Sequence, residues 1–161
     1  MEQLYAYHAT PIKNKKSIEK NGLLLNQQPI NKNTYYVENQ LFFTFVSGNK
    51  AKNIVQEMLK NEGIQNEIIV YRIPLSYFNI KNVHYDYNVK CIESEDIETF
   101  SYAQNIPFCE IEIVPQNEMD DECTLDDLLY GNNEVARDIG EKLFDIWKEE
   151  ISWLYDDSEK K

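Results

Sequence analysis

The sequence is short of cysteine, glycine, positive charge and long apolar runs, and each shortage excludes a class of protein. Its three cysteines, Cys91, Cys109 and Cys123, are an odd set with no CxxC or Cys/His ligand spacing. Neither a structural zinc site nor a disulfide framework is expected from them. The five glycines fall in neither GxGxxG nor GxxxxGK spacing, so the common phosphate-cradling loops are missing. Ser17, Ser47 and Ser101 lack the setting of a nucleophile elbow, which disfavours a Ser-His-Asp hydrolase. No apolar run approaches the roughly 20 residues of a membrane span. The N-terminus, MEQLYAYHATPIKNKK, has no basic stretch followed by an apolar one, so no signal peptide is expected. The chain reads as soluble and cytoplasmic, in a reducing compartment.

What is present is a core and a charge asymmetry. The 161 residues are 42% apolar and 12% aromatic, including eleven Tyr and seven Phe, enough to bury the core of one domain. Sixteen Lys+Arg against 28 Asp+Glu leave a net charge of −12. A chain this acidic is a poor general ligand for nucleic acid, whose phosphates need Lys and Arg. The sum hides two unequal parts. Residues 1–60 carry eight Lys and four Glu, a local +4, while residues 61–161 carry eight basic and 24 acidic groups, a local −16. An anionic ligand should prefer the first part.

Along the chain, residues 3–8 read as a strand bounded by Thr10-Pro11. A helix opening at Asn14 or Lys15 is stopped by Gly22. Residues 25–39 are a polar loop holding Tyr35 and Tyr36. LFFTF, 41–45, is a buried strand. Ser47-Gly48-Asn49 caps a helix over 49–61, with Ala51, Ile54, Val55, Met58 and Leu59 on one face. Glu67–Ile73 is the clearest strand, closed by Pro74, and 75–79 forms a turn or a short 3₁₀ segment. Residues 84–91 alternate weakly and 97–102 form a short strand. Residues 106–114 alternate cleanly, with Cys109, Ile111 and Ile113 on one face and Glu110 and Glu112 on the other. An acidic loop over 115–123 leads to a short helix capped by Thr124. A long last helix runs from Asn132 or Asn133 to about 155, its apolar face formed by Val135, Ile139, Leu143, Ile146, Trp147, Ile151 and Leu154. The order of elements is α+β.

The start of the chain, YHATPIKNKKSIEKNGLL, then LFFTF and a Gly-Asn-Lys-Ala helix start, resembles proteins of the ADP-ribosyltransferase fold. Those open on a strand ending in Tyr-His-(Gly/Ala/Val)-Thr, continue through a short helix ending in Gly-Leu, and reach an aromatic strand ending in Thr. The likeness continues through EIIVYRIP and, more weakly, through IETFSYAQNIPFCEIEIV. It covers about residues 4–114; nothing in 115–161 corresponds to it. It implies a split β-sheet core over 1–114, two small packed sheets around a cleft. Residues 115–161 would add an acidic loop and an extra C-terminal helix docked on that core, a single domain overall.

The resemblance also implies a chemistry. Breaking the nicotinamide–ribose bond of NAD passes through an oxocarbenium-like sugar, so the site must hold the ribose, stack the leaving ring and set a carboxylate beside the cation. His8 matches the strand-end His and would hold the ribose, with Ala9, Thr10 and Thr44 beside it. Phe42 stands where the family usually has Tyr; it can stack but not hydrogen-bond, and Tyr35 and Tyr36 could supply the aromatic wall instead. Glu98 is the first choice for the carboxylate. Glu95, Asp96, Glu110 and Glu112 remain open, Glu110 and Glu112 also reading as the solvated face of a strand. His84 with Asp86 reads as a surface pair. With Arg72 and Arg137 the only arginines, the Arg-dependent RNA 2′-phosphotransferase activity of this fold is not expected.

The expectation is therefore an ADP-ribosyltransferase that takes NAD as substrate and modifies a macromolecule, a basic protein rather than naked DNA. The alternative is a non-catalytic acidic protein of the same fold that mimics nucleic acid to occupy a basic partner. Its size, acidity and Asn/Lys/Ile content would suit a phage or mobile-element protein acting on a host factor.

Overall fold

The computed structural model of the protein describes residues 3–25, 40–61, 67–86 and 97–159, with side chains described throughout these except at 61 and 150–159. Its sheet is assembled on β1 (Tyr5–Pro11), which hydrogen-bonds to a neighbour on each edge. On one edge β3 (Ile68–Pro74) runs antiparallel along all of β1, from Tyr5↔Pro74 to Pro11↔Ile68. On the other edge β2 (Leu41–Thr44) is paired with it only at Tyr7↔Thr44. β5 (Thr99–Tyr102) lies beyond β2, and β4 (Val83–Tyr85) beyond β5. β6 (Glu112–Ile113) closes the other side, on β3. The order is β4-β5-β2-β1-β3-β6, antiparallel at every step.

The fold is α+β, as the order of elements implies. The expectation of two packed sheets is corrected, because β1 uses both of its edges and joins all six strands into one sheet. The strand also runs further than residues 3–8. Pro11 lacks an N–H, yet it is tolerated as the last residue of a strand, and the next amide, of Ile12, still donates to the Glu67 carbonyl at 2.8 Å.

Alternation along β1 sends side chains to two separate cores. Ala6 joins the larger one, with Phe43, Phe45, Tyr71, Ile73, Phe100 and Tyr102 from neighbouring strands. Tyr7 and Ala9 join the smaller one, with Val70. The smaller core is covered by α2 (Gly48–Asn61), whose Ala51, Val55 and Leu59 recur every fourth residue. Ser47 caps this helix, its hydroxyl accepting from the Lys50 amide at 3.0 Å.

The larger core is covered by α1 (Lys15–Asn21) through Ile18, by α3 (Leu125–Leu129) through Leu125 and Leu128, and by α4 (Glu134–Glu159) through Ala136, Ile139 and Leu143. Thr124 and Asp127 form a reciprocal capping box on α3. The Asn133 side chain accepts from the Ala136 amide at 3.0 Å and starts α4. Val135, Ile146 and Trp147 pack at the rim of this core, while Ile151 and Leu154 lie outside the described side chains. Lys142 ties α4 to the 3₁₀ turn before β4 by donating to the Ile80 carbonyl at 2.8 Å. Among the described residues no helix is long and apolar enough to cross a membrane.

The clean alternation of 106–114 does not form a strand of that length. After Pro107 the chain makes a 3₁₀ turn over Phe108–Glu110, and only Glu112 and Ile113 pair with β3. Ile106 is held instead by Leu23, through N–H to carbonyl bonds of 2.9 and 3.0 Å in both directions. This approach needs Gly22. Its φ is +74°, and a Cβ there would lie 2.1 Å from the Ile106 carbonyl oxygen. Ile111 is then buried, while Ile113 is exposed on the edge.

Three substitutions test this packing. Leu143→Ala should lower the unfolding free energy by about 2–5 kcal/mol, whereas Asp145→Ala, exposed on the same helix, should stay within about 0.5 kcal/mol. Gly22→Ala should cost about 1–3 kcal/mol through its left-handed backbone alone. Urea titrations give all three; equal midpoints for Leu143→Ala and Asp145→Ala would mean that α4 is not part of the core.

Candidate functional site

His8 lies on the larger-core face of β1, between Phe43 on β2 and Tyr71 on β3. Its ring centroid is 5.5 Å from that of Phe43, and Tyr71 is its direct cross-strand partner. It occupies the seam where β1 and β2 cease to pair, and its side chain crosses that seam. Nδ1 lies 2.9 Å from the Phe42 carbonyl oxygen. A carbonyl only accepts, so Nδ1 carries the hydrogen. Burial lowers the His8 pKa, outweighing the Phe42 hydrogen bond, which acts to raise it. The ring is thus the neutral Nδ1–H tautomer, and Nε2 presents a lone pair.

The other expected residues are distributed unevenly around it. Thr10 shares the His8 face, but its hydroxyl accepts from Asn14 Nδ2 at 2.8 Å. Ala9 points to the opposite face and packs in the α2 core. Thr44 is also on the α2 side, where its hydroxyl donates to the Glu98 carbonyl at 2.6 Å and accepts from the Val46 amide at 3.2 Å. Phe42 pairs with Ser101 on that same side. Its ring therefore faces away from His8, and the aromatic that His8 meets is Phe43, one residue on. Phe43 is itself buried and stacks on Phe100 at 5.6 Å. Tyr35, Tyr36, Glu95 and Asp96 lie outside the described residues.

Glu98 stands just before β5, and its carboxylate is paired with Lys50 of α2 at 2.8 Å. Both side chains are partly solvated, so the pair contributes little to stability. The register relates the two candidates. His8 lies beside Phe43, Phe43 beside Phe100, and Glu98 two residues before Phe100. At ordinary strand spacings this sets the His8 and Glu98 Cα atoms roughly 12 Å apart. Glu110 lies in the 3₁₀ turn, and Glu112 is bound to Arg72. His84 is on β4, opposite Ser101, with a pKa lowered by burial and by Lys142.

Two features near the seam have no sequence signal. Tyr71 is 0% exposed, and its buried hydroxyl has no hydrogen-bond partner among the described residues. Arg72, on the other face, is almost wholly buried among Glu112, Glu118 at 3.3 Å and the Tyr5 ring, whose centroid lies 4.2 Å from its guanidinium carbon. The pairing of β1 with β3 sets Tyr71 opposite His8, and the pairing of β3 with β6 sets Arg72 opposite Glu112. No protein-family model, curated relative or solved structure matches the chain.

The neutral His8 sets a pH dependence. Its folded-state pKa lies below the ordinary value of about 6.5, so the unfolded chain binds the proton more readily. Stability from this group is complete above about pH 6.5, falls as pH drops, and levels off below the depressed folded value. His8→Asn, which keeps a donor near the Nδ1 position, should flatten the curve of urea midpoint against pH between about pH 5 and 7.5. His84→Gln should remove a separate part of the slope. A His8→Asn curve parallel to wild type would mean that the imidazole takes up its proton freely in the fold.

Proposed function

We propose that the chain is an ADP-ribosyltransferase-like protein that takes NAD at the His8 face and transfers ADP-ribose to a basic protein. The observation that carries the reading is the fixed tautomer of His8, with Nδ1–H spent on the Phe42 carbonyl and Nε2 left to accept from a ribose hydroxyl.

In this reading the nicotinamide–ribose bond breaks with its electron pair leaving on the nicotinamide nitrogen, and a nucleophile of the acceptor attacks the sugar carbon. The chain contributes orientation and charge. His8 positions the ribose. Glu98 offers the negative charge that the cationic sugar requires, once Lys50 releases it. Lys50 sits in the first turn of α2, so a substrate anion that attracts this lysine would free the carboxylate.

A second reading has its own support. Phe42 faces away from His8, Glu98 is neutralised by Lys50, and Asp120, Asp121, Glu122, Asp126 and Asp127 are all exposed within one short stretch. These features suit an acidic protein that binds a basic partner and catalyses nothing.

One variant separates the two. Glu98→Gln keeps size and hydrogen bonding but removes the charge. A transferase should lose roughly a hundredfold or more in rate, on the order of 3 kcal/mol, with its complexes intact. Mass spectrometry of candidate basic proteins incubated with NAD should show one added ADP-ribose, absent with Glu98→Gln. Tight, salt-sensitive binding without any adduct, lost on charge reversal of Asp120, Asp121 and Glu122 but surviving Glu98→Gln, would replace the transferase by the acidic mimic.

A further inference from the structure

The Tyr71 hydroxyl is the feature of the His8 face that packing does not explain. Buried hydroxyls normally have a partner, and this one has none among the described residues. Tyr71 stands directly opposite His8. Residues so paired share a sheet face, with Cβ atoms about 4.5–5.5 Å apart. On that face the Nε2 atom of His8 also has no partner among the described residues, since only Nδ1 is engaged.

The two groups are chemically complementary. Burial, with the Glu19 carboxylate adding to it, raises the Tyr71 pKa and keeps the phenol protonated. Burial keeps His8 uncharged. Nε2 can only accept, while the phenol can donate or accept. A neutral acceptor beside a neutral donor suits hydroxyl groups. It does not suit phosphate, which calls for several donors and positive charge.

We infer that Tyr71 is a ligand-binding residue, its hydroxyl and His8 Nε2 together holding the hydroxyl groups of a ribose-type diol. The inference rests on the proposed function in taking the sugar to be that of NAD, and it adds a contact from β3 to the His8 site. His8 is half-buried and Tyr71 fully buried, so His8 is the member of the pair nearer solvent.

Tyr71→Phe removes the hydroxyl and keeps the ring. On the full chain, calorimetry with NAD, ADP-ribose and adenosine is compared with the melting temperature of the ligand-free protein. The ligand-free variant should melt at or above the wild-type temperature, because an unsatisfied buried group has gone. Its affinity for each ligand that wild type binds should fall about tenfold, the size of one hydrogen bond. Unchanged affinity overturns the assignment. A lower melting temperature with unchanged affinity overturns it too, and gives the hydroxyl a purely structural partner. If wild type consumes NAD and Tyr71→Phe binds it equally well, the transferase stands and the Tyr71 assignment falls. If NAD is not consumed but adenosine or ADP-ribose binds and loses tenfold in the variant, the reverse holds. A wild type that binds none of the three overturns both.

Discussion

The two-edged pairing of β1 is the constraint on which the rest depends. A strand pinned along one edge by β3 has its facing fixed, since a slip of one residue would exchange every side chain between the two cores. Tyr7 and Ala9 must then meet α2, and Ala6 and His8 must meet the α1, α3 and α4 side. The other edge is nearly free, held to β2 at Tyr7↔Thr44. His8 supplies what the backbone there does not, a side-chain bond from β1 to the β2 carbonyl of Phe42. A polar residue is therefore retained inside an apolar layer. Here the same ring holds the sheet together through Nδ1 and presents a lone pair at Nε2.

The opposite face answers a different problem, how an acidic half-chain keeps its edge strand. β6 has two paired residues and cannot hold the 112–118 segment by ladder bonds alone. Arg72, on the adjacent strand, binds Glu112 and Glu118 together and lies over Tyr5. Burial acts to lower the Arg72 pKa, and the two carboxylates more than offset it. The arrangement is demanding, because removing the carboxylates leaves the buried Arg72 charge unmatched, whereas Glu112 and Glu118 remain partly solvated. It also draws the negative charge of this segment to the side of the sheet away from His8.

Much of this architecture was legible in the residues. The helices were marked by chemistry at their ends: Ser47, Thr124 and Asn133 as caps, Gly22 as a stop. The apolar spacing of α2 and α4 pointed to the faces they bury. The errors arose where distant backbone decided. Residues 106–114 alternate as well as any strand, yet Ile106 pairs with Leu23 and the 3₁₀ turn after Pro107 breaks the period. In LFFTF, periodicity could not tell which Phe faces which way; the register with β1 and β5 puts Phe43, not Phe42, against His8. His8 was visible because Tyr-His-Ala-Thr is a pattern. Tyr71 was not, because EIIVYRIP reads equally well as plain core, and an unpartnered hydroxyl exists only once its surroundings are assembled.

The charge distribution bears on how a substrate such as NAD could approach a chain of net charge −12. Its pyrophosphate would be repelled by the molecule as a whole, but the fields near a surface follow local charge. α1 carries Lys15, Lys16 and Lys20, and it packs on the sheet face that bears His8. Glu19 neutralises part of this through Lys15 at 3.8 Å, a solvated pair that salt screens readily. Among the exposed acids, Asp120 accepts from the Asn49 side chain at the start of α2, while Asp126 and Asp127 lie on α3, on the His8 side of the sheet. The fold interleaves the +4 and −16 portions of the chain, as the Lys50–Glu98 pair shows. In the proposed reading, the lysines of α1 are the charges on this face that would meet the phosphates of a dinucleotide.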